Sequence, residues 1–394
     1  MSIRKLLRSK RFKRFYHLLS LLPDRRMGGK IKHRQVDCII VILIGMYAGN
    51  NFFKDIIDYA KKNYNGLNKL LSFLNGLPSH DTLERAMHRI SSQEFNESLG
   101  ILSLSLLKSR DTLHIALDGK FVRATRDHRS NSALNIMSAY ECKQKLSIFS
   151  VLESGSNSKL NSEHVMIPKL LKILKNYINP DKTIISIDAI GAVRPVLKEL
   201  SSSGYGFVIC VKKEEMQGLG GSIRYDFAYS DIPLVKKLIT SNGGRVNHKT
   251  YKMIVDLSYL KGIYPSLPSA VKRIGMVITE TMNKKTGSAS SESRYFLLSD
   301  ITLTEFIETN QKHWNIEASH YVLDNSFQED RQRIKKGSSC LNMNLLRKFV
   351  MNVIGLNTQN VSITTTRREN KYLYPSQIIY QILYNNGKES VQNI

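Results

Sequence analysis

A chain of 394 residues, 42% of them hydrophobic, has the material for one large domain or two to three smaller ones, which excludes a disordered, core-less polypeptide. Its 58 Lys and Arg against 33 Asp and Glu give a formal charge of +25, which excludes a preference for cationic partners and favours a polyanion, either nucleic acid or an anionic membrane surface. The strongest apolar run, Cys38 to Ala48, falls well short of the roughly 20 residues that span a bilayer and reads as a buried helix.

Residues 1–110 read as a basic arm followed by a helical, DNA-binding domain. From Arg4 through Arg34 there are twelve Lys or Arg and one acid, Asp24. The stretch FYHLLSLL runs into Pro23, Asp24 and two arginines instead of a small-residue cleavage site, so the expectation is a cytoplasmic protein. Apolar residues then recur at helical spacing to about Leu107, as in Ile56, Ile57 and Ala60, and Ser79 or Asp81 can cap a helix starting near Thr82.

After Arg110 the pattern changes to short apolar strands. Leu113 to Leu117, Leu134 to Tyr140 and Leu146 to Leu152 suggest a meander, followed by a helix from Glu163 to Tyr177 and a strand from Thr183 to Ile187. A helix from Val193 to Leu200 and a strand from Phe207 to Val211 complete the order βββαβαβ over residues 111–213. Such a sheet with helices on its faces sets the ends of its first and fourth strands side by side, and Asp118 and Asp188 follow those two strands directly.

Residues 214–300 break the alternation with Gly-rich turns at Gly218 to Gly221 and further strand-like runs, a β-rich insertion. Helix returns over 301–360, first from Leu303 through Trp314 to Val322 and then from Leu341 to Leu356, and residues 361–394 form a polar tail whose end is loosely ordered. The four cysteines lie far apart with no CxxC pair, as expected of reduced core thiols.

A carboxylate that closes an apolar strand is costly to bury without a partner, either the amides of a following turn or a cation. Two such residues at matching strand ends favour the cation. Phosphoryl transfer between nucleic-acid strands uses a pair of hard divalent ions about 3.5–4 Å apart, held by carboxylate oxygens. A third acid comes from Glu317 in HWNIEASHYVLD, where His313, Glu317, His320 and Asp324 would share one face of a continuous helix and Trp314, Ile316 and Tyr321 would pack on the sheet.

These motifs resemble the DDE transposases of bacterial insertion sequences, in the branch of the H-repeat-associated proteins. The resemblance rests on LPSHDTLERAMHRI at Leu77, ALDGKFVR at Ala116, SEHVMIPKLL at Ser162, SIDAIGA at Ser186, HWNIEASHYVLDNSFQEDRQRIKKG at His313 and NLLRKFVMNVI at Asn344, in the family's order. It implies an RNase H-like mixed sheet flanked by helices, with Asp118, Asp188 and Glu317 as the catalytic, metal-binding triad for Mg2+ or Mn2+. It further implies DNA as partner, the element's terminal repeats and its target, with a homodimer on paired ends. Lys120, Arg123 and Lys212 beside the strand ends, and Arg331, Arg333, Lys335 and Lys336 in RQRIKKG, are the expected phosphate contacts. The chain departs from the branch at Ala318, where Asn usually follows the Glu, and at Asn161, Ser162 and Glu163, which stand for an SNE-like triplet.

A transposase-derived DNA-binding protein without strand cleavage is the second reading. A di-iron bundle built on ExxH at Glu317 to His320 would need a second such motif on another helix, and the sequence holds none. There is also no GxSxG turn for a serine nucleophile.

Overall fold

The computed structural model describes residues 2–71, 73–127, 132–153, 159–188, 193–211, 219–229, 234–242, 244–265, 267–331, 338–358 and 361–384. In chain order it contains α1 (Ile3–Arg8), α2 (Lys10–Ser20), α3 (Gln35–Tyr47), α4 (Phe53–Lys62), α5 (Tyr64–Leu71), α6 (His80–Arg89) and α7 (Ser92–Ser105). There follow β1 (Leu113–Asp127), β2 (Ser132–Glu141), β3 (Leu146–Glu153), α8 (Lys159–Lys175), β4 (Thr183–Ile187), α9 (Arg194–Ser203) and β5 (Gly206–Val211). Then come α10 (Leu219–Tyr229), β6 (Leu234–Asn242), β7 (Arg245–Ile254), α11 (Ser258–Ile263), β8 (Arg273–Asn283) and β9 (Ala289–Leu298). The chain closes with α12 (Leu303–His313), α13 (Asn315–Asn325), α14 (Ser339–Asn357), α15 (Ile363–Asn370) and α16 (Pro375–Tyr384). No described helix is long and apolar enough to cross a membrane.

Two compact units arise. One comprises Met1–Ser109, Lys120–Asn157 and Glu317–Ile394, the other Arg110–Gly119 and Ser158–Ile316. The division differs from the linear one read from sequence, because the C-terminal helices join the N-terminal ones in a single core. Every residue of α3 is buried, as the apolar run from Cys38 onward requires. Asp37 in its first turn is kept by Tyr16, whose hydroxyl donates at 2.9 Å, and by Arg34 at 2.8 Å. In α14, sixteen consecutive residues from Ser339 to Ile354 are buried, and several of its amide groups find partners: Asn342 donates to the carbonyls of Met87 and Ile90, and Asn352 joins Ser103 to Ser147.

The basic arm is folded. Phe12, Phe15 and Leu19 recur at helical spacing on α2 and are buried, while Lys10, Lys13 and Arg14 face outward, so the charge forms the outer face of an amphipathic helix. The expected tail also folds through residue 384: α16 buries Ile378, Ile379, Ile382 and Leu383. Arg367 of α15 is buried, donating to the Met46 carbonyl at 3.0 Å and to Asn51 Oδ1 at 2.7 Å, with its guanidinium over the Phe327 ring. Within this unit the strands run in the order β3-β2-β1. Gly100 of α7 lies so close to Phe149 of β3 that a Cβ there would stand 2.0 Å from the ring.

The second unit is a mixed sheet in the order β1-β4-β5-β9-β8-β7-β6. Parallel pairing joins β1 to β4 and β4 to β5, and antiparallel pairing joins the rest. The expected order βββαβαβ is what forms, with β1 longer than its apolar run. Among its described residues the insertion carries four strands, β6 to β9, and two helices besides, so the Gly-rich stretch from Leu219 onward is the start of α10 and not a turn. Phe306 of α12 packs against β8 and β9, where Gly275 leaves room for its ring. The expected capping near Thr82 is by Ser79, which accepts from the Thr82 amide at 3.2 Å.

Candidate active site

The register of β1 and β4 fixes the first feature of the site. Leu117 pairs with Ile187, so Asp118 and Asp188 come next on the two neighbouring paths: Asp188 directly follows β4 as expected, whereas Asp118 lies inside β1, which runs on to Asp127. Neighbouring strands lie about 4.8 Å apart, which places the two carboxylates at one rim. Both residues are half-buried, and Asp118 Oδ1 accepts from the amide of Gly119 at 2.9 Å.

A further carboxylate stands beside this rim. Glu163 of α8 is 1% exposed, and a Cβ placed on Gly119 would lie 2.3 Å from Glu163 Oε1. Glycine at 119 is therefore what lets the acid approach the strand. The sequence held a signal for it: Glu163 shares the helix face of Met166, Ile167 and Leu170, all buried, where an acid has no place without a task.

Beneath the rim runs a buried polar chain. Ser186 Oγ lies 2.8 Å from His114 Nε2 on one side and 2.8 Å from His313 Nδ1 on the other. Burial pushes the His313 imidazole down to about 4, with the charge of Asp188 opposing, so it stays neutral at physiological pH. His313 ends α12, and Trp314 interrupts the helix before α13 begins at Asn315. The expected single helical face is thus divided: His313 belongs to α12, and Glu317, His320 and Asp324 belong to α13. Trp314 does not pack in a core but is 43% exposed beneath the Arg294 guanidinium, 5.2 Å from the ring centroid. Tyr321 is 69% exposed, and of the three residues expected on the sheet only Ile316 is fully buried.

In the other unit Glu317 is exposed on α13. Lys120, expected to hold phosphate, is committed elsewhere. Its side chain is 11% exposed, pairs with Asp324, and donates to Glu329 Oε2 at 2.8 Å. Burial opposes the charge of Lys120, but Glu329 and Asp324 outweigh it and raise its pKa. Glu329 also accepts from Asn344 at 2.8 Å and faces Arg347 at 3.4 Å. Its own burial would raise its pKa, yet Lys120 and Arg347 hold the carboxyl down to about 2. Arg123 remains open, its side chain 87% exposed and 3.8 Å from Asp330, and Arg331 is exposed. Lys212, Arg333, Lys335 and Lys336 lie outside the described residues. The four thiols are unbridged, as expected.

Among the described residues no three His, Cys, Asp or Glu side chains close into a metal cage. The donor set at the rim fits a hard cation of the magnesium type, which binds through one or two carboxylates and keeps its remaining positions for water and substrate phosphate.

A mixed α/β protein with two aspartates side by side across neighbouring parallel strands is the class defined by these features. The family model described as DDE_Tnp_1-associated matches residues 16–101. The chain is 25% identical over 351 residues to the "Putative transposase YncI" of Escherichia coli O157:H7, covering 85% of this chain and 86% of that protein. It is 23% identical over 356 residues to the "H repeat-associated putative transposase YhhI" of Escherichia coli K12, covering 87% and 90%. A solved structure, the piggyBac transposase synaptic complex with hairpin DNA, is similar at a TM-score of 0.38 and 11% identity, over 97% of this chain and 82% of that one. Family model and relatives together make the chain similar to the H repeat-associated putative transposases of bacteria.

Proposed function

We propose that the chain is a DDE transposase that cleaves and joins DNA with Mg2+ or Mn2+, on a core of RNase H type. The observation that carries this reading is the β1–β4 register, which sets Asp118, within β1, beside Asp188, directly after β4. Glu317 is the third acid by resemblance. Bound divalent cations would activate a water for attack on the phosphodiester and offset charge on the leaving oxygen. Asp118 would hold them from within β1 and Asp188 from directly after β4, where hydrogen-bonded backbone keeps the oxygens in place without reorganisation. Neutral His313 adds no positive charge beside Asp188. The charge of +25 draws DNA in, with Arg123 and Arg331 open to phosphates and the outer face of α2 a second basic surface. Two copies on paired element ends would bring both ends to one target.

The test is nicking of supercoiled DNA carrying the element's ends, with Mg2+ or Mn2+. The reading expects metal-dependent nicking that is lost in Asp188→Asn while salt-sensitive DNA binding persists. Nicking unchanged in that variant overturns it, and salt-sensitive binding with no cutting by the unaltered protein points to the DNA-binding reading instead.

A further inference from the structure

Among the described residues, Arg367 of α15 is a buried cation, 4% exposed, held by neutral groups alone. It lines a cavity of about 320 Å3 whose wall joins α15 to the residues after α3 and to the turn that ends α13. We propose that this cavity seats a backbone phosphate of bound DNA, with Arg368 and Lys371 closing on it. The inference rests on the reading of DNA as partner.

Local rules build the cavity within one unit. After α3 ends at Tyr47, Gly49 turns the chain with a φ of +91°, at a place where a Cβ would stand 2.9 Å from the Arg367 carbonyl. Glycine thus lets the turn press against α15. Asn51 follows, its Oδ1 accepting from Arg367 Nη2 at 2.7 Å and its Nδ2 donating to the Ser326 carbonyl at 3.3 Å. Arg367 also donates from Nε and Nη2 to the Met46 carbonyl and from Nη1 to that of Ser326. A guanidinium has five N–H groups. Four are used in this way, and one on Nη1 remains.

Charge selects the ligand. Among the described residues the wall holds three cations, Arg367, Arg368 and Lys371, and no Asp or Glu. Burial pulls the Arg367 guanidinium down to about 9 and the charge of Arg347 pushes the same way, so an anion beside it supplies the counter-charge that its carbonyl partners lack. Arg368 and Lys371 are exposed and meet a ligand arriving from solvent. Asn50, Gln328 and Thr364 add amide and hydroxyl groups, the side chains that with Arg and Lys make the contacts to DNA phosphates. The volume lies at the lower end of the roughly 300–1,000 Å3 of ligand sites, so the cavity takes a phosphate from the edge of a duplex and not the duplex itself.

The decisive experiment measures duplex binding by the full chain, by fluorescence anisotropy at several salt concentrations, in Arg368→Gln/Lys371→Gln and in Thr364→Trp. All three side chains are exposed, so the fold is kept, and Arg367 is left in place because it ties Met46 to Ser326. Thr364→Trp fills the cavity without altering the charge. The expected result for each variant is about 10-fold weaker binding, with the slope of log affinity against log salt shallower by about 1, the worth of one phosphate. Loss in Arg368→Gln/Lys371→Gln with none in Thr364→Trp would mean open surface charge and overturn the seat, as would unchanged binding in both. Inorganic phosphate alone is titrated by calorimetry. Phosphate binding that the variants lose while their duplex binding stays intact marks a site for a free anion and overturns the assignment to DNA. If the unaltered protein shows no salt-sensitive duplex binding, the transposase reading falls and the inference with it.

Discussion

Replacing Gly119 by alanine probes the closest approach at the rim. The added methyl would stand 2.3 Å from Glu163 Oε1, 2.9 Å from its Cδ and 3.2 Å from its Cγ. The carboxylate cannot swing to solvent, because Glu163 is 1% exposed on a helix face whose other members, Met166, Ile167 and Leu170, are equally enclosed. Either α8 or the strand end must yield, and overpacking of this size costs about 1–3 kcal/mol. In a unit of this size each kcal/mol lowers the melting temperature by about 2–4 °C, so calorimetry of Gly119→Ala should show a loss of several degrees. The same alanine in a Glu163→Ala background meets no carboxylate and should cost less than about 0.5 kcal/mol, leaving a coupling of about 1 kcal/mol or more in the double-mutant cycle. Equal cost in both backgrounds, or no cost in either, would refute the contact between Glu163 and Gly119.

Two further outcomes follow from buried charges. Lys348 is fully enclosed, donating to Ser138 Oγ at 2.6 Å and Ser150 Oγ at 2.8 Å, and burial lowers its pKa to about 7 against a weaker opposing pull from Glu329. The unfolded chain keeps that proton up to about pH 10.5, so the protein should gain stability as pH rises above 7, by at most about 1.4 kcal/mol per unit. The urea midpoint should therefore rise from pH 7 to 8.5, and Lys348→Met should flatten the rise; a slope unchanged by the substitution contradicts the assignment. Glu329, held down to about 2, contributes stability that is complete above its unfolded pKa of about 4.5 and lost as pH falls toward 2. Glu329→Gln should weaken the fold at pH 7 and remove part of the acid transition, and an acid midpoint that does not move would count against the network.

The strands around the site could be read directly, because a short apolar run ending in Asp is a local pattern and the parallel register followed from element order. Local patterns also explain the errors. Trp314 takes helical backbone angles, so the junction of α12 and α13 leaves no break in the periodicity, and the sequence alone reads His313 and Glu317 on one helix. Lys120 looked like a free cation because its partners lie 204 and 209 residues away. The high charge of residues 1–34 masked the spacing of Phe12, Phe15 and Leu19 that folds the arm, and nothing local announced that α14 to α16 would complete the core built by α3 to α7.

The central claim is a cation shared by Asp118 and Asp188, and it can be mapped on the polypeptide itself. With Fe2+ in place of Mg2+ and ascorbate with peroxide added, hydroxyl radicals cut the backbone next to the bound ion. The expected fragments end near residues 118 and 188, fade when excess Mg2+ competes, and vanish in Asp118→Asn. Cuts clustered elsewhere in the chain, or fragments at 118 and 188 that persist in that variant, would contradict the account.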